Sequence, residues 1–203
     1  LAHLSKEKNL VKAFINGEDI HNSTAKLMYE TNEVSADQRR IAKILNFGVL
    51  YGLGPHGVSQ QTDLSREQGK QFTDLYFGKY PGIKEFQKTL VDTSKRTGYS
   101  ETLLGRRRYL EDINSPNARI RGFAERVAIN MPIQGTAAEI IKIAMIKLGQ
   151  QIRKEKMNSK MLIQVHDELI FEVAPGELME IGAMINEIMP NAIKLDVPVL
   201  VDI

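Results

Sequence analysis

Cysteine is absent from the 203-residue chain, and its absence excludes a disulfide framework and every zinc site built on cysteine. No run of about 18 apolar residues occurs either, which argues against a membrane-spanning helix. The first residues lack the basic stretch followed by an apolar run that is typical of a signal peptide. Charge of one sign is not in excess, since the net charge is only +2. Binding to nucleic acid can therefore be inferred only from local clusters of cations.

Helical periodicity dominates the first half of the chain. Asp19, Ser35 and Ser65 are predicted N-caps, and Pro81 is predicted to begin a helix. The predicted helices cover residues 2–15, 19–29, 36–52, 65–80, 81–96, 119–130, 133–154 and 175–192, with Pro132 separating two of them.

Strand signals are few and lie in the second half. Gly105 predicts a hairpin or tight turn within residues 99–110. The apolar runs 161–165 and 169–173 flank His166, Asp167 and Glu168, which predicts a β-hairpin with acids at its tip. Residues 197–203 are predicted to form another strand. The predicted fold class is therefore α+β, with a helical part and a small antiparallel sheet flanked by helices.

The stretch RRIAKILNFGVLYG places cations and aromatic rings on one face of a helix. At about 100° per residue, Arg39, Lys43, Phe47 and Tyr51 fall on one side, one turn apart. Aliphatic residues and a glycine fill the predicted core face: Ile41, Ala42, Ile44, Leu45, Gly48 and Val49. Cations at this spacing can neutralise phosphates, and flat rings can stack on a base or a sugar. Periodicity alone leaves open a solvated basic face with two partly buried aromatic residues.

Three further sets of polar residues are also compatible with an ordinary structural role at the surface. Arg126, Asn130 and Gln134 are four residues apart and share a face if the helix runs through Pro132, yet a polar surface face has the same spacing. The triplet formed by Arg106, Arg107 and Arg108 suits phosphates or, alternatively, a solvated turn. His21 alone could equally be a surface or capping residue.

Residue identities favour the functional reading. RRIAKILNFGVLYG closely resembles the O-helix motif of the family A DNA polymerases. ERVAINMPIQGTAAEIIKIAM resembles the palm helix of that family that follows the minor groove, and MLIQVHDELIFEV resembles its motif C hairpin. DIHNSTA and TLLGRRRYL are similar to intervening segments, so the resemblance covers essentially the whole chain. It implies helical fingers over residues 1–110, with the O-helix at about 36–52, and the C-terminal part of the palm over 111–203, with the motif C hairpin at about 161–173.

The resemblance also implies roles on the first helix face. Arg39 and Lys43 would bind the triphosphate of an incoming dNTP, with Lys43 as a candidate general acid, and His21 would contact the same phosphates. Phe47 would pack against the sugar, and Tyr51 would lie at the templating base.

In the second half, the resemblance implies that Asp167 is a ligand of two Mg²⁺ ions and that Glu168 is a supporting or weaker ligand. His166 would position the primer end. The remaining residues would contact the primer–template DNA, in the minor groove through Arg126, Asn130 and Gln134 and at backbone phosphates through Arg106, Arg107 and Arg108.

Family A enzymes carry a second catalytic aspartate on a strand that leads into the segment matched here by LAHLS. We therefore expect the chain to be a fingers and palm fragment, inactive alone, whose missing part supplies that strand and the thumb. We expect a cytoplasmic protein, in a bacterial nucleoid or in host cytoplasm if it is viral. A non-catalytic DNA-binding module and a fragment of a single-subunit RNA polymerase remain alternatives.

Overall fold

The computed structural model describes residues 1–52, 54–62 and 64–203, without the side chains of Val49, Leu50, Pro55 and His56. Val49, assigned above to a core face, is thus outside the described side chains. The chain divides into two compact units, Leu1–Ile133 and Gln134–Ile203. The division at residue 110 into fingers and palm concerns functional subdomains and stays a prediction.

Short and medium helices build the first unit. They are α1 (Ala2–Ser5), α2 (Lys8–Ile15), α3 (Ile20–Tyr29), α4 (Ala36–Leu50), α5 (Pro55–Gln61), α6 (Arg66–Lys79) and α7 (Pro81–Thr97). They are followed by β1 (Tyr99–Glu101), β2 (Arg107–Tyr109), a 3₁₀ turn (Glu111–Asn114) and α8 (Ala118–Lys154). Helix α8 continues into the second unit, which adds β3 (Lys160–Val165), β4 (Glu168–Glu172) and α9 (Leu178–Ile188). The predicted α+β class is confirmed.

Capping side chains begin several helices where the sequence predicts them. The Asp19 carboxylate accepts hydrogen bonds from the backbone amides of His21 and Asn22 at the start of α3. Ser65 and Gln68 form a reciprocal capping box at the start of α6. Ser35 accepts from the amide of Gln38 at the start of α4. Local hydrogen bonding therefore sets these helix starts.

The single helix predicted over residues 2–15 is wrong, because two helices occupy this segment. Lys6 has a φ of 51° and a left-handed conformation, which ends α1. Glu7 then caps α2 through the amide of Asn9 and also accepts from the amide of Gly82, 2.5 Å away. A tertiary contact with the start of α7 thus accompanies the break.

The predicted separation of two helices at Pro132 is also wrong. Helix α8 runs through Pro132 without a break. Proline cannot donate the hydrogen bond that the carbonyl of Ala128 would receive in a helix. The buried Ser100 hydroxyl of β1 donates to that carbonyl instead, at 2.8 Å. The free carbonyl is thereby satisfied within the first unit.

Both predicted hairpins form. Strands β1 and β2 pair antiparallel, with Gly105 at a φ of 84° between them. Strands β3 and β4 pair antiparallel, and Val165 lies opposite Glu168 across a two-residue turn. The predicted strand over 197–203 is wrong, since the described residues there form no strand. Strand geometry needs a partner for its backbone groups, and no described segment pairs with this one.

Each unit has its own apolar core. In the first unit, Tyr76, Tyr80 and Ile83 are almost completely buried where α6 meets α7. In the second, Leu148 and Ile152 of α8 pack with Ile181, Met184 and Ile185 of α9. Helix α9 is shorter than predicted. Gly176 has a φ of 89°, and the Glu177 side chain accepts hydrogen bonds from the amides of Asn158 and Ser159. Among the described residues, none of the helices combines the length and apolar composition that crossing a bilayer requires.

Candidate functional site

A row of rings and cations lies on one exposed face of the first unit. The Phe47 ring stacks near Tyr51, with centroids 6.3 Å apart, and lies 5.7 Å from the imidazole of His21. Phe47 is 42% exposed, and Lys43 is exposed one turn before it. In the described part of the chain, no carboxylate lies within ion-pair distance of the Lys43 ammonium. This face can receive an anion together with a flat ring.

The opposite side of α4 is buried, as predicted, but around a different centre. Ala42 and Leu45 are fully buried, whereas Ile41 and Ile44 are only half-buried. Asn46, which sequence reasoning left unassigned, is 2% exposed. Asn46 follows Ala42 by about one helical turn and therefore falls on the same buried face. A polar residue at such a position indicates a buried hydrogen bond.

Asp19 joins the starts of α3 and α4. Its Oδ2 accepts a hydrogen bond from Arg39 Nε at 2.9 Å, while Oδ1 caps α3. Burial alone would raise the pKa of this carboxyl, but the amide of Asn22, the Arg39 guanidinium and the amide of His21 together lower it. The carboxylate therefore holds Arg39 next to His21 on this face.

Two buried side chains, those of Asn46 and Thr24, hold the His21 ring in place. Its Nδ1 lies 2.9 Å from Asn46 Nδ2, and the Thr24 hydroxyl donates to Asn46 Oδ1 at 3.1 Å. Burial lowers the pKa of His21 below its ordinary value, Asp19 opposes this, and the charges of Arg39 and Lys43 add to the lowering. The net effect favours the neutral form of the imidazole.

A shallow groove of about 420 Å³ runs along α4. It is lined by Arg40, Lys43, Ile44, Phe47, Gly48, Tyr51 and Gln61. Gln61 ends α5, a helix that sequence reasoning did not predict because its glycine and polar residues show no apolar period. The predicted site residues Lys43, Phe47 and Tyr51 thus share one groove.

The end of α4 lies against α8. Gly52 has a φ of 75°, and a side chain there would approach Ile129 Cδ1 to 3.2 Å and Arg126 Cγ to 3.3 Å. Glycine is therefore required both by its backbone and by the close approach. The Arg126 guanidinium lies over the Phe123 ring, 5.8 Å from its centroid.

Helix α8 carries all three predicted minor-groove residues, Arg126, Asn130 and Gln134. The helix is continuous through Pro132, Arg126 and Asn130 lie one turn apart within the first unit, and Gln134 begins the second. The buried Asn130 Oδ1 has no hydrogen-bond partner among the described residues. Buried acceptors of this kind are normally paired, often with an ordered water.

The β1–β2 hairpin distributes its three arginines unequally. Arg107 pairs with Glu101 at 2.6 Å and lies over the Tyr99 ring, 4.4 Å from its centroid. Side chains alternate along a strand, so Arg108 lies on the face of β2 opposite to Arg107, and Arg106 directly precedes the strand. All three arginines are exposed, and Arg107 is paired with Glu101.

The β3–β4 turn presents the carboxylates. His166 has a φ of 52°, and its carbonyl accepts from Gln164 Nε2 at 2.8 Å. Asp167 in the turn and Glu168 at the start of β4 are exposed. They border a groove of about 730 Å³ whose other walls come from α8, β4, α9 and the segment 199–203, and these walls are apolar except for Asp202.

Asp167 and Glu168 are hard oxygen ligands of the type that Mg²⁺ prefers. Two neighbouring carboxylates supply only part of an octahedral set. Across the described residues, histidines and carboxylates nowhere gather in a group of three or more that could hold a metal ion. The ligand type therefore fits Mg²⁺, and the ligand number requires groups from outside this cluster.

A carboxylate clamp holds the base of this hairpin. Glu177 accepts from the amides of Asn158 and Ser159 at 2.9 Å and from the Ser159 hydroxyl at 2.5 Å. The Ser159 hydroxyl in turn accepts from the amide of Ala174 at 3.0 Å. The Ser159 hydroxyl thus joins the segment before β3 to the segment after β4, and Glu177 holds this hydroxyl in place.

We expect Glu177→Gln to lower the thermal unfolding temperature, because these hydrogen bonds lower the Glu177 pKa below its usual value of 4.5. A lowered folded-state pKa adds stability above the unfolded-state value, and this stability is lost as the pH falls. The difference between wild type and variant should therefore vanish in acid. Thermal unfolding measured against pH tests this, with the exposed Glu187→Gln in α9 as control. A pH-independent difference would contradict the clamp.

The α4 face thus offers cations beside flat rings, and the β3–β4 turn offers two carboxylates. The sequence profile of DNA polymerase family A matches residues 1–203, and the chain belongs to that family. It is 48% identical to DNA polymerase I of Streptococcus pneumoniae, 44% to that of Geobacillus stearothermophilus and 42% to that of Mycobacterium tuberculosis. Each match covers 100% of this chain but 23% of the relative, so the chain spans about a quarter of the length of these polymerases.

A solved structure is similar as well. The POL domain of Pol1 from M. smegmatis, in complex with DNA primer-template and dNTP, matches with a TM-score of 0.92 and 43% identity. The match covers 97% of this chain and 35% of that one.

Proposed function

We propose that the protein containing this chain is a DNA-directed DNA polymerase that adds dNTPs to a primer 3′ end on a DNA template. The carrying observation is the α4 face, where Lys43 is exposed beside the Phe47 and Tyr51 rings and next to His21. Membership of DNA polymerase family A and the dNTP and primer-template bound to the similar POL domain support this assignment. The chain contributes the fingers and the C-terminal part of the palm.

The α4 face binds the incoming nucleotide in this proposal. Lys43 and Arg39 contact the triphosphate with His21, and the Asp19 carboxylate holds Arg39 in place. Phe47 packs against the sugar, and Tyr51 lies at the templating base. Lys43 is the general acid that transfers a proton to the departing pyrophosphate, since it is the exposed ammonium on this face.

Asp167 and Glu168 would hold Mg²⁺, with further ligands supplied by other parts of the polymerase, the substrates and water. When bound, two such ions activate the primer 3′-OH and stabilise the charge on the triphosphate. His166, next to Asp167 in the same turn, positions the primer end.

Contacts to the primer–template DNA come from α8 and from the β1–β2 hairpin. Arg126, Asn130 and Gln134 face the minor groove, where purine N3 and pyrimidine O2 acceptors occur in every base pair. Donor side chains there can check the geometry of a pair without reading its sequence. Arg106, Arg107 and Arg108 bind backbone phosphates, and Arg107 exchanges its ion pair with Glu101 for a phosphate.

Primer extension by the intact protein, with dNTPs or NTPs and Mg²⁺, tests this function. We expect templated extension with dNTPs and little with NTPs. Binding of primer–template without extension would instead support a non-catalytic DNA-binding module. A preference for NTPs would support an RNA polymerase.

We expect the wild-type enzyme to discriminate against dideoxynucleotides, because the Phe47 ring has no hydroxyl to replace a missing 3′-OH. Phe47→Tyr should relieve this discrimination by about tenfold, the effect of one hydrogen bond to a charged group. The measurement compares incorporation of a dideoxynucleotide with that of its deoxynucleotide. Tyr51→Phe, which removes a hydroxyl from the neighbouring ring, should leave the ratio unchanged. Equal incorporation of both nucleotides by the wild type would refute the role of Phe47.

A further inference from the structure

A buried chain of polar groups lies behind the His21 imidazole. Thr24 is fully buried and Asn46 is 2% exposed, so neither side chain can rely on water for its hydrogen bonds. The Thr24 hydroxyl lies 3.1 Å from Asn46 Oδ1, and Asn46 Nδ2 lies 2.9 Å from His21 Nδ1. The three side chains thus form one continuous path from α3 to α4 and back to α3.

The hydrogen-bonding groups at the two ends of this path determine which atom donates and which accepts at each step. The Thr24 hydroxyl donates to Asn46 Oδ1, so the NH₂ group of the amide faces the imidazole. An NH₂ group can only donate, and His21 Nδ1 must then accept with its lone pair. A neutral imidazole that accepts at Nδ1 carries its proton on Nε2.

The charged groups around the ring are Asp19 on α3 and Arg39 and Lys43 on α4. Asp19 is already engaged with Arg39 and with the α3 backbone, and its carboxylate makes no hydrogen bond to the imidazole in the described structure. The tautomer of His21 therefore depends on the neutral amide of Asn46 and not on a carboxylate.

We propose that Asn46, itself oriented by Thr24, is a positioning residue that fixes His21 as the Nε2–H tautomer. The ring then presents an N–H donor to an anion without becoming charged. On the proposed function, this anion is the triphosphate of the incoming dNTP, and the Nε2–H donor adds to the charges of Arg39 and Lys43. Asn46 acts through His21 and does not touch the nucleotide.

NMR of the intact protein with ¹⁵N-labelled histidine measures the tautomer directly, at a pH well above the imidazole titration. The His21 signals are assigned by their loss in His21→Gln. We expect the proton on Nε2 and a bare Nδ1 in the wild type. A proton on Nδ1 would overturn the proposal, since it requires the amide to be reversed.

Two variants test the direction of the chain. Asn46→Asp replaces the donor by a carboxylate that only accepts, so we expect the proton of the neutral ring to move to Nδ1. Thr24→Val keeps the shape but removes the hydroxyl, which should let the amide rotate and give both tautomers. Thr24→Ser should restore the wild-type signals, and it keeps the test valid if Asn46→Asp does not fold. An unchanged tautomer in Asn46→Asp and Thr24→Val would overturn the role of Asn46.

Calorimetric titration with dATP links the tautomer to binding. We expect Asn46→Asp to weaken the affinity for dATP about tenfold, as loss of one hydrogen bond to a charged group implies. In a His21→Gln background the same substitution should have little further effect, because its action passes through His21. An equal loss in both backgrounds would indicate simple charge repulsion and contradict the proposal. If the wild type does not bind dATP, the proposed function fails, while the NMR result still decides the tautomer.

Discussion

Asp167→Asn is expected to reduce the rate of primer extension about 1000-fold in the intact polymerase that contains this chain. Metal ions contribute several kcal/mol of charge stabilisation in such a transition state, and each step of about 1.4 kcal/mol is tenfold in rate. Asparagine keeps the size of the side chain and its place in the β3–β4 turn but loses the negative charge. Single-turnover extension at saturating dNTP and Mg²⁺ measures the effect.

The same hairpin provides the controls for Asp167. Glu168→Gln should have a smaller effect than Asp167→Asn, since Glu168 is assigned as the supporting ligand. Glu172→Gln removes an exposed carboxylate at the far end of β4 and should leave the rate unchanged. A wild-type rate for a folded Asp167→Asn variant would exclude Asp167 from metal binding. An equal loss for all three would indicate a general effect of charge on DNA binding.

Lys43→Ala is expected to lower the rate of incorporation about 100- to 10,000-fold, the range for loss of a general acid. The ammonium is exposed on the α4 face, with no carboxylate within ion-pair distance among the described residues, so its charge is available to a triphosphate. Rapid-quench measurement of a single incorporation separates the rate of the chemical step from dNTP affinity.

Substitution by arginine separates the two proposed roles of Lys43, which are triphosphate binding and proton transfer. Lys43→Arg keeps a positive charge but cannot give up a proton, since arginine remains protonated in proteins. We expect dNTP affinity to be largely retained in Lys43→Arg and the rate to remain low. Lys26→Ala removes an exposed cation from α3 and serves as control. A near-normal rate for Lys43→Ala would remove Lys43 from the chemistry.

The helix starts and the two hairpins could be predicted because their causes are local. Asp19 and Ser65 each bond to amides within three residues of themselves, and Gly105 occupies the turn that its sequence position indicates. The cation and ring face of α4 likewise follows from the spacing of Arg39, Lys43, Phe47 and Tyr51. These features need only the geometry of a single element.

The wrong predictions share a non-local cause. Pro132 normally indicates the end of a helix, yet α8 continues because Ser100, 28 positions before Ala128 in the sequence, satisfies the carbonyl of Ala128. The break after Lys6 coincides with a hydrogen bond from Gly82 to Glu7. Residues 197–203 have strand propensity but no paired neighbour in the described structure. Periodicity carries no information about such distant partners.

The features of the candidate site likewise divide into those predicted from the sequence and those that depend on distant contacts. Residue identities pointed to Lys43, Phe47 and Asp167, and the structure places the first two in one groove and Asp167 at the exposed tip of a hairpin. Spacing did not reveal that Asn46 is buried between Thr24 and His21, that Asp19 holds Arg39, or that Arg107 is paired with Glu101. Each of these contacts joins different elements.

The sequence by itself determined the family, the α+β class and the cationic, aromatic face of α4, because these depend on residue identity and on the repeat of one helix. Only the tertiary structure decided that α8 is continuous, that Arg107 pairs with Glu101, and which nitrogen of His21 faces an amide. A hydrogen bond is directional and short, so its partner is known only when folding has brought two distant segments within about 3 Å of each other.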